Sequence, residues 1–202
     1  MNAWLADASR LDAAIYAAVA RTSTPELDRT MRAISRAADH SRLSLACAAL
    51  LALFGGPAGR RAAQMGVASV AVTSAAVNGV AKPLGPRARP HRGARRLPFV
   101  LHVPIARRVR MPASSSFPSG HAAAAFAFAT GVGDTLPMVG GPLRALAALV
   151  AYSRVHTGVH YPGDVVAGAL LGGTLAQLTA TAFEHQRPRR RTPSSTAATA
   201  TT

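Results

Sequence analysis

The sequence predicts an all-α protein: an integral membrane helical bundle of about five spans, preceded by an amphipathic N-terminal helical region. Three observations carry this. From about Ala62 to the tail, apolar runs nearly free of charge alternate with short gaps into which the arginines crowd, as in a membrane protein. Those runs are rich in alanine, the best helix former, and in the small residues that let helices pack closely in lipid. Finally, 23 Lys and Arg stand against 8 Asp and Glu, a net charge of +15, which calls for an anionic partner, nucleic acid or membrane. The charge-free runs between the basic gaps decide for the membrane and against nucleic acid, since a groove-binding basic domain does not need them.

At 202 residues the chain is long enough for one domain. Residues 1–41 form the N-terminal region. Asp7 and Asp12 interrupt it, so it does not read as a signal peptide. Leu5, Leu11, Ile15 and Val19, then Leu27, Met31 and Ile34, recur at near-helical spacing. They predict one or two amphipathic helices lying on the membrane surface or against the bundle, the alternative being a solvated hairpin packed on itself.

Residues 42–184 form the membrane domain. Leu43 to Phe54 is apolar but short of the ~20 residues of a usual span, and Gly55-Gly56-Pro57 ends it. Ala62 to Ala81 is a full-length span. A polar segment from Lys82 to Ser116 follows, with an apolar island of Phe99, Val100, Leu101, Val103 and Ile105 read as a loop anchor. His121 to Val139 is the next span, disturbed near its end by Gly131, Gly133 and Asp134. Gly140-Gly141-Pro142 reads as a turn, Leu143 to Tyr152 as the following span, and Asp164 to Phe183 as the last, with Gly168, Gly172 and Gly173 as packing positions. Residues 185–202 are basic and then low in complexity, the composition of a disordered tail. Cys47 is the only cysteine, which rules out an intramolecular disulfide and a Cys-based zinc site; it reads as a small buried hydrophobe.

Three polar stretches carry chemistry. Tyr152 to Asp164, YSRVHTGVHYPGD, holds Arg154, two histidines and an acid between apolar runs. Pro162 suits a first helical turn and Asp164 the positive end of its dipole. His160 then lies just outside that turn, where the carboxylate can take one ring N–H and fix the other nitrogen as base or nucleophile. Pro118-Ser119-Gly120-His121 opens a helix, whose unpaired N–H groups and dipole favour an anion. Lys82, the only lysine, and Arg89 share one proline-studded loop and offer an ammonium and a guanidinium fork to a tetrahedral oxyanion.

Lys82 to Pro90 as Lys-x6-Arg-Pro, Pro118 to His121 as Pro-Ser-Gly-His, and Ser153 to Asp164 as Ser-Arg-x5-His-x3-Asp resemble the three-part signature of the type 2 phosphatidic acid phosphatase superfamily. The match runs in order over roughly Ala62 to Phe183. The resemblance implies a membrane phosphatase acting on a lipid phosphate: phosphatidate, phosphatidylglycerol phosphate, or a polyprenyl phosphate or diphosphate. It implies His160 as the nucleophile that forms a phosphohistidine, Asp164 orienting it, and His121 as general acid toward the leaving oxygen and then base toward water. A histidine's ordinary pKa of ~6.5 suits both tasks near neutrality. Lys82, Arg89, Arg154, Ser119 and the Gly120 N–H would hold the phosphoryl oxygens. The cations take the place of a metal, so neither metal nor other cofactor is expected.

The span count is one fewer than in the resembled enzymes. Those face outward, which sets an outer-face site as the expectation, although the seven arginines Arg87, Arg92, Arg95, Arg96, Arg107, Arg108 and Arg110 in the motif loop pull toward the cytoplasm by the positive-inside rule. The arginines outside the motifs read as membrane-surface charges. His40, His91, His102 and His185 read as structural, and His156 mostly so. The other readings are a basic non-catalytic membrane protein and a vanadate-dependent haloperoxidase-like enzyme, which shares the oxyanion cradle. Oligomeric state is not legible in the sequence.

Overall fold

Two helices, α1 (Ala3–Arg21) and α2 (Pro25–Ala37), open the chain. The computed structural model describes residues 3–90 and 103–185. Pro25 starts α2 where a missing N–H costs nothing, with Glu26 and Asp28 in the first turn against the positive dipole end. Both helices pack on the bundle rather than on each other alone. The face they bury is not the expected one. α1 buries Asp12, Tyr16 and Ala20, and α2 buries Asp28, Met31 and Ser35, while Leu11 and Ile15 are exposed. On α1 the inward face is thus turned by about one residue, or ~100°, from the apolar stripe, whereas on α2 the stripe residue Met31 is buried beside Asp28 and Ser35. The reason is polar: Asp12 and Asp28 pair with Arg87 and Arg107, and on α1 Leu11 and Ile15 are left outside.

A turn at Asp39–Ser41 bends the chain by 63° into α3 (Arg42–Phe54). α4 (Gly56–Ala76) starts six residues before the expected span, because Gly56 takes a left-handed φ of 59° and reverses the chain at once. It widens over Val77–Ala81 and closes with a last turn at Lys82–Leu84. α5 (Gly120–Thr135), α6 (Pro137–His156) and α7 (Pro162–His185) complete the helices of the described residues.

α5 is the centre, packed by α4, α6 and α7. Its alanines are almost wholly buried, and Phe128 fills the space they leave against Ala62, Ala63, Leu143 and Ala147. Truncating such a ring to alanine costs about 3–5 kcal/mol. The expected turn at Gly140-Gly141-Pro142 is corrected: these residues lie inside α6, and the break falls at Leu136 instead. Gly140 serves a close crossing, since a Cβ there would stand 2.8 Å from the Cα of Gly133 on α5. On α7 a Cβ at Gly168 or Gly172 would collide with the backbone of Ser119 or Ala123, whereas Gly173 has room for one.

By length and composition, two helices can cross a membrane, the path Gly56–Leu84 and α7, and a third if the bent pair of α2 with the Asp39–Phe54 segment is one span. α5 is too short at 16 residues and lies inside the bundle. In the apolar island Val103 is buried and Ile105 exposed. Phe99, Val100 and Leu101, together with His91, Arg92, Arg95, Arg96, His102 and the tail from residue 186, lie outside the described residues.

Candidate active site

The three motif stretches meet at one end of the bundle. Lys82 closes the path of α4, Ser119 caps α5, Arg154 ends α6, and Asp164 sits in the first turn of α7. Ser119 N–H donates to Asp164 O at 2.9 Å, which ties the second motif to the third through the backbone. Gly168 is what lets α7 approach Ser119 this closely.

Asp164 is fully buried and fully engaged. Its Oδ1 accepts from Arg87 Nη1 at 2.7 Å, and its Oδ2 accepts from Tyr161 N–H at 2.9 Å and from Ser116 Oγ–H. His160 Nδ1 lies 3.5 Å from the same Oδ2 and 3.4 Å from Ser116 Oγ, so carboxylate and hydroxyl together hold one edge of the ring. The other edge, Nε2, stands 3.0 Å from Arg89 Nη1, which also donates to Val159 O at 2.8 Å. Burial pushes the His160 imidazole down from its ordinary value to about 4, with Arg89 and Arg154 adding to the effect and the hydrogen bond to Asp164 opposing it. It is therefore a neutral nitrogen base at neutral pH.

Arg89 is gripped further by Ser114 O at 3.0 Å and Ser115 O at 3.1 Å. Lys82 Nζ donates to Asn78 Oδ1 at 3.0 Å and Ser114 Oγ at 3.1 Å, and a Cβ on Gly120 would stand 3.7 Å from it. Ser119 Oγ accepts from Ala122 N–H at 3.5 Å as the N-cap of α5. Arg154 is buried beside Ser35, donating to its Oγ at 2.7 Å, and acts electrostatically on both imidazoles. His121 Nε2 meets Asp39 Oδ1 at 3.0 Å.

His121 stands at a junction. On one side is a cleft shared with Lys82, Asn78, His40 and Gly120; on the other, an apolar slot lined by Leu43, Cys47, Phe128, Leu143 and Leu146. Cys47 is half-buried there.

All eight residues expected at the site converge on it. Sequence reasoning missed the serines and acids that hold them. Ser114, Ser115 and Ser116 form an unbroken serine run directly before the second motif, a signal that was available. Asp12, Asp28 and Ser35 come from the N-terminal helices and Asp39 from the turn after them, where the sequence reading rests on the apolar positions. The reading of the non-motif arginines as surface charges is corrected for two of them. Arg87 bridges Asp12 and Asp164, 2.7 Å to each, and lies over the Tyr161 ring. Arg107 is fully buried, 2.6 Å from Asp28 and bonded to Thr22 and Val19 carbonyls. His156 is structural, its Nε2 2.9 Å from Asp28. Among the described residues, no group of three or more His, Cys, Asp or Glu side chains is placed to hold a metal ion.

Comparison with known proteins agrees with this geometry. The model of the PAP2 superfamily matches residues 63–188. A decaprenylphosphoryl-5-phosphoribose phosphatase of Mycolicibacterium smegmatis is 36% identical over 170 residues, covering 81% of this chain and 84% of that protein. A protein of the same name from Mycobacterium tuberculosis is 40% identical over 95 residues, which span 45% of this chain and only 50% of the relative. The crystal structure of a transmembrane PAP2 type phosphatidylglycerolphosphate phosphatase from Bacillus subtilis superposes with a TM-score of 0.66 at 25% identity, covering 91% of this chain and 90% of that one.

Proposed function

The chain belongs to the PAP2 superfamily, and on that premise we propose that it is an integral membrane phosphatase that hydrolyses a lipid phosphate through a phosphohistidine on His160. The observation that carries the lipid is the position of His121 between a cleft bearing Lys82 and an apolar slot bearing Cys47 and Phe128. A leaving oxygen at His121 joins a phosphoryl group to an alkyl chain, and the two sides of this histidine suit the two halves.

His160 Nε2 attacks phosphorus while Asp164 and Ser116 hold Nδ1. His121 gives its proton to the departing lipid oxygen as the P–O bond breaks, then takes one from the water that cleaves the P–N bond. Lys82, Arg89, Arg154, Ser119 and the Gly120 N–H hold the phosphoryl oxygens and offset the charge that builds on them. The names of the relatives favour a polyprenyl-linked phosphate within the wider lipid class. Residues 42–184 form the catalytic bundle of α3 to α7, in which the path Gly56–Leu84 and α7 are long and apolar enough to span. α1 and α2 lie at the interface, presenting Trp4, Leu11 and Ile15 outward to lipid, and the site opens on the outer face. The test is a panel of phosphatidate, phosphatidylglycerol phosphate and polyprenyl mono- and diphosphates on detergent-purified protein, expected to release phosphate fastest from a polyprenyl substrate. Phosphate release from none of them would contradict the proposal.

A further inference from the structure

Asp39 is out of place by charge alone. A carboxylate at the rim of an oxyanion site repels the ligand, yet Asp39 Oδ1 lies 3.0 Å from His121 Nε2 and 3.5 Å from Arg154 Nη1. It is also delivered there at some cost. The turn that carries it places His40 and Ser41 in succession in the left-handed region, with φ of 55° and 57°, a conformation that crowds the Cβ of a non-glycine residue. Asp39 precedes the residues matched by the family model, 63–188, and sits in the turn between α2 and α3.

We propose that Asp39 is the positioning carboxylate of His121, making the site two carboxylate–imidazole pairs: Asp164 with the nucleophile and Asp39 with the acid. This rests on the phosphatase reading above. Asp39 accepts the Nε2 proton and fixes the ring. Nδ1 has no hydrogen bond to a described residue, and it is the nitrogen left to give a proton to the leaving oxygen as P–O breaks and N–P forms at His160. Neutral after that step, the same Nδ1 takes a proton from water in the second half. Burial and Arg154 hold the His121 imidazole down at about 4 and Asp39 pulls the other way; the negative charge of a bound phosphoryl group adds to Asp39 in favouring the proton that the acid must carry. His160, the other titratable neighbour of His121, is neutral and does not oppose this.

The test uses the full chain in detergent, with Asp39→Asn, Asp39→Glu, His121→Ala and the double variant His121→Ala/Asp39→Asn. Each is assayed on a polyprenyl phosphate, whose alkoxide needs acid help, and on p-nitrophenyl phosphate, whose phenolate needs little. Asp39 is 40% exposed, so these changes leave the fold intact, and equal melting temperatures check it. Expected is a fall in kcat of about 10–100-fold for Asp39→Asn on the polyprenyl phosphate at unchanged KM, less than the roughly 10²–10⁴-fold that the general acid itself contributes, because the imidazole remains. The loss on p-nitrophenyl phosphate should be under about 3-fold, with partial rescue by Glu and no further loss when Asn is added to His121→Ala. Equal loss on both substrates, or additive loss in the double variant, would make Asp39 a structural clamp and overturn the proposal. A gain in activity would make it a competing anion and overturn it equally. Active wild-type protein with an unaffected Asp39→Asn variant sinks this inference alone; wild-type protein inactive on both substrates sinks the phosphatase reading with it.

Discussion

Arg89 Nη1 stands 3.0 Å from His160 Nε2, so the guanidinium covers the one imidazole nitrogen that Asp164 and Ser116 leave free. A phosphoryl group that reaches this nitrogen meets a cation already aligned by Ser114 and Ser115 carbonyls. Arg89→Lys keeps the charge but loses the fork that spans these carbonyls and the substrate. The rate should fall by about 10²–10³-fold, the loss typical of a removed oxyanion donor. Steady-state phosphate release measures this, and full activity would reduce Arg89 to a loop charge.

Chelation should leave the enzyme active if, as proposed, Lys82, Arg89 and Arg154 supply the positive charge that a metal supplies elsewhere. Turnover in excess EDTA should match the untreated enzyme, and vanadate should inhibit by occupying the same cradle. Activity lost to EDTA and restored by Mg²⁺ would contradict this site.

If His160 is the nucleophile, as proposed, its pH dependence follows from its burial. Acid silences His160 by protonating Nε2, and its pKa is held down to about 4. Phosphoenzyme formation from p-nitrophenyl phosphate, which needs little proton help from His121, corrected for the substrate's own ionisation, should hold from neutrality down to about pH 5 and fall only as pH drops through about 4. A limb centred at 6.5 would mean an exposed, unperturbed imidazole.

Arg107 tests the inverted N-terminal helices. It is fully buried with Asp28, and Asp28 also holds His156. Arg107→Met leaves that acid with His156 and the Thr24 hydroxyl but no permanent cation and should cost about 3–5 kcal/mol, read as a clear drop in melting temperature. A surface arginine changed the same way shifts stability by no more than about 0.5 kcal/mol.

The motifs were legible because their chemistry needs charged residues at helix ends, and such residues stand out against alanine. Pro162 and Asp164 announced the start of α7, and Ser119-Gly120 the start of α5. The break between α5 and α6 was not legible. Gly140-Gly141-Pro142 carries the composition of a turn, yet Gly140 is spent on a close crossing with Gly133, a reason that exists only once both helices are placed. The inward face of α1 and α2 was hidden for a related cause. Apolar periodicity locates apolar positions and says nothing of acids that pair with cations distant in the sequence, as Asp12 does with Arg87, Asp28 with Arg107 and Asp39 with Arg154.

The face of the membrane on which the site opens can be read with Ala106→Cys in a Cys47→Ser background, since Ala106 is exposed beside the motif loop. An impermeant maleimide should label it in intact cells. Labelling only after lysis would place the site on the cytoplasmic side.

The most direct test of the account is to trap the covalent intermediate. Acid-labile phosphate bound to the protein should accumulate in alkali- or SDS-quenched wild-type enzyme given radiolabelled substrate, and His160→Ala should yield none with any substrate. His121→Ala should be nearly inactive on a polyprenyl phosphate yet still form the adduct from p-nitrophenyl phosphate and hold it longer, because the water step lacks its base. A trapped adduct in His160→Ala, or equal loss of the adduct from both substrates in His121→Ala, would show that the roles of the two histidines are assigned wrongly.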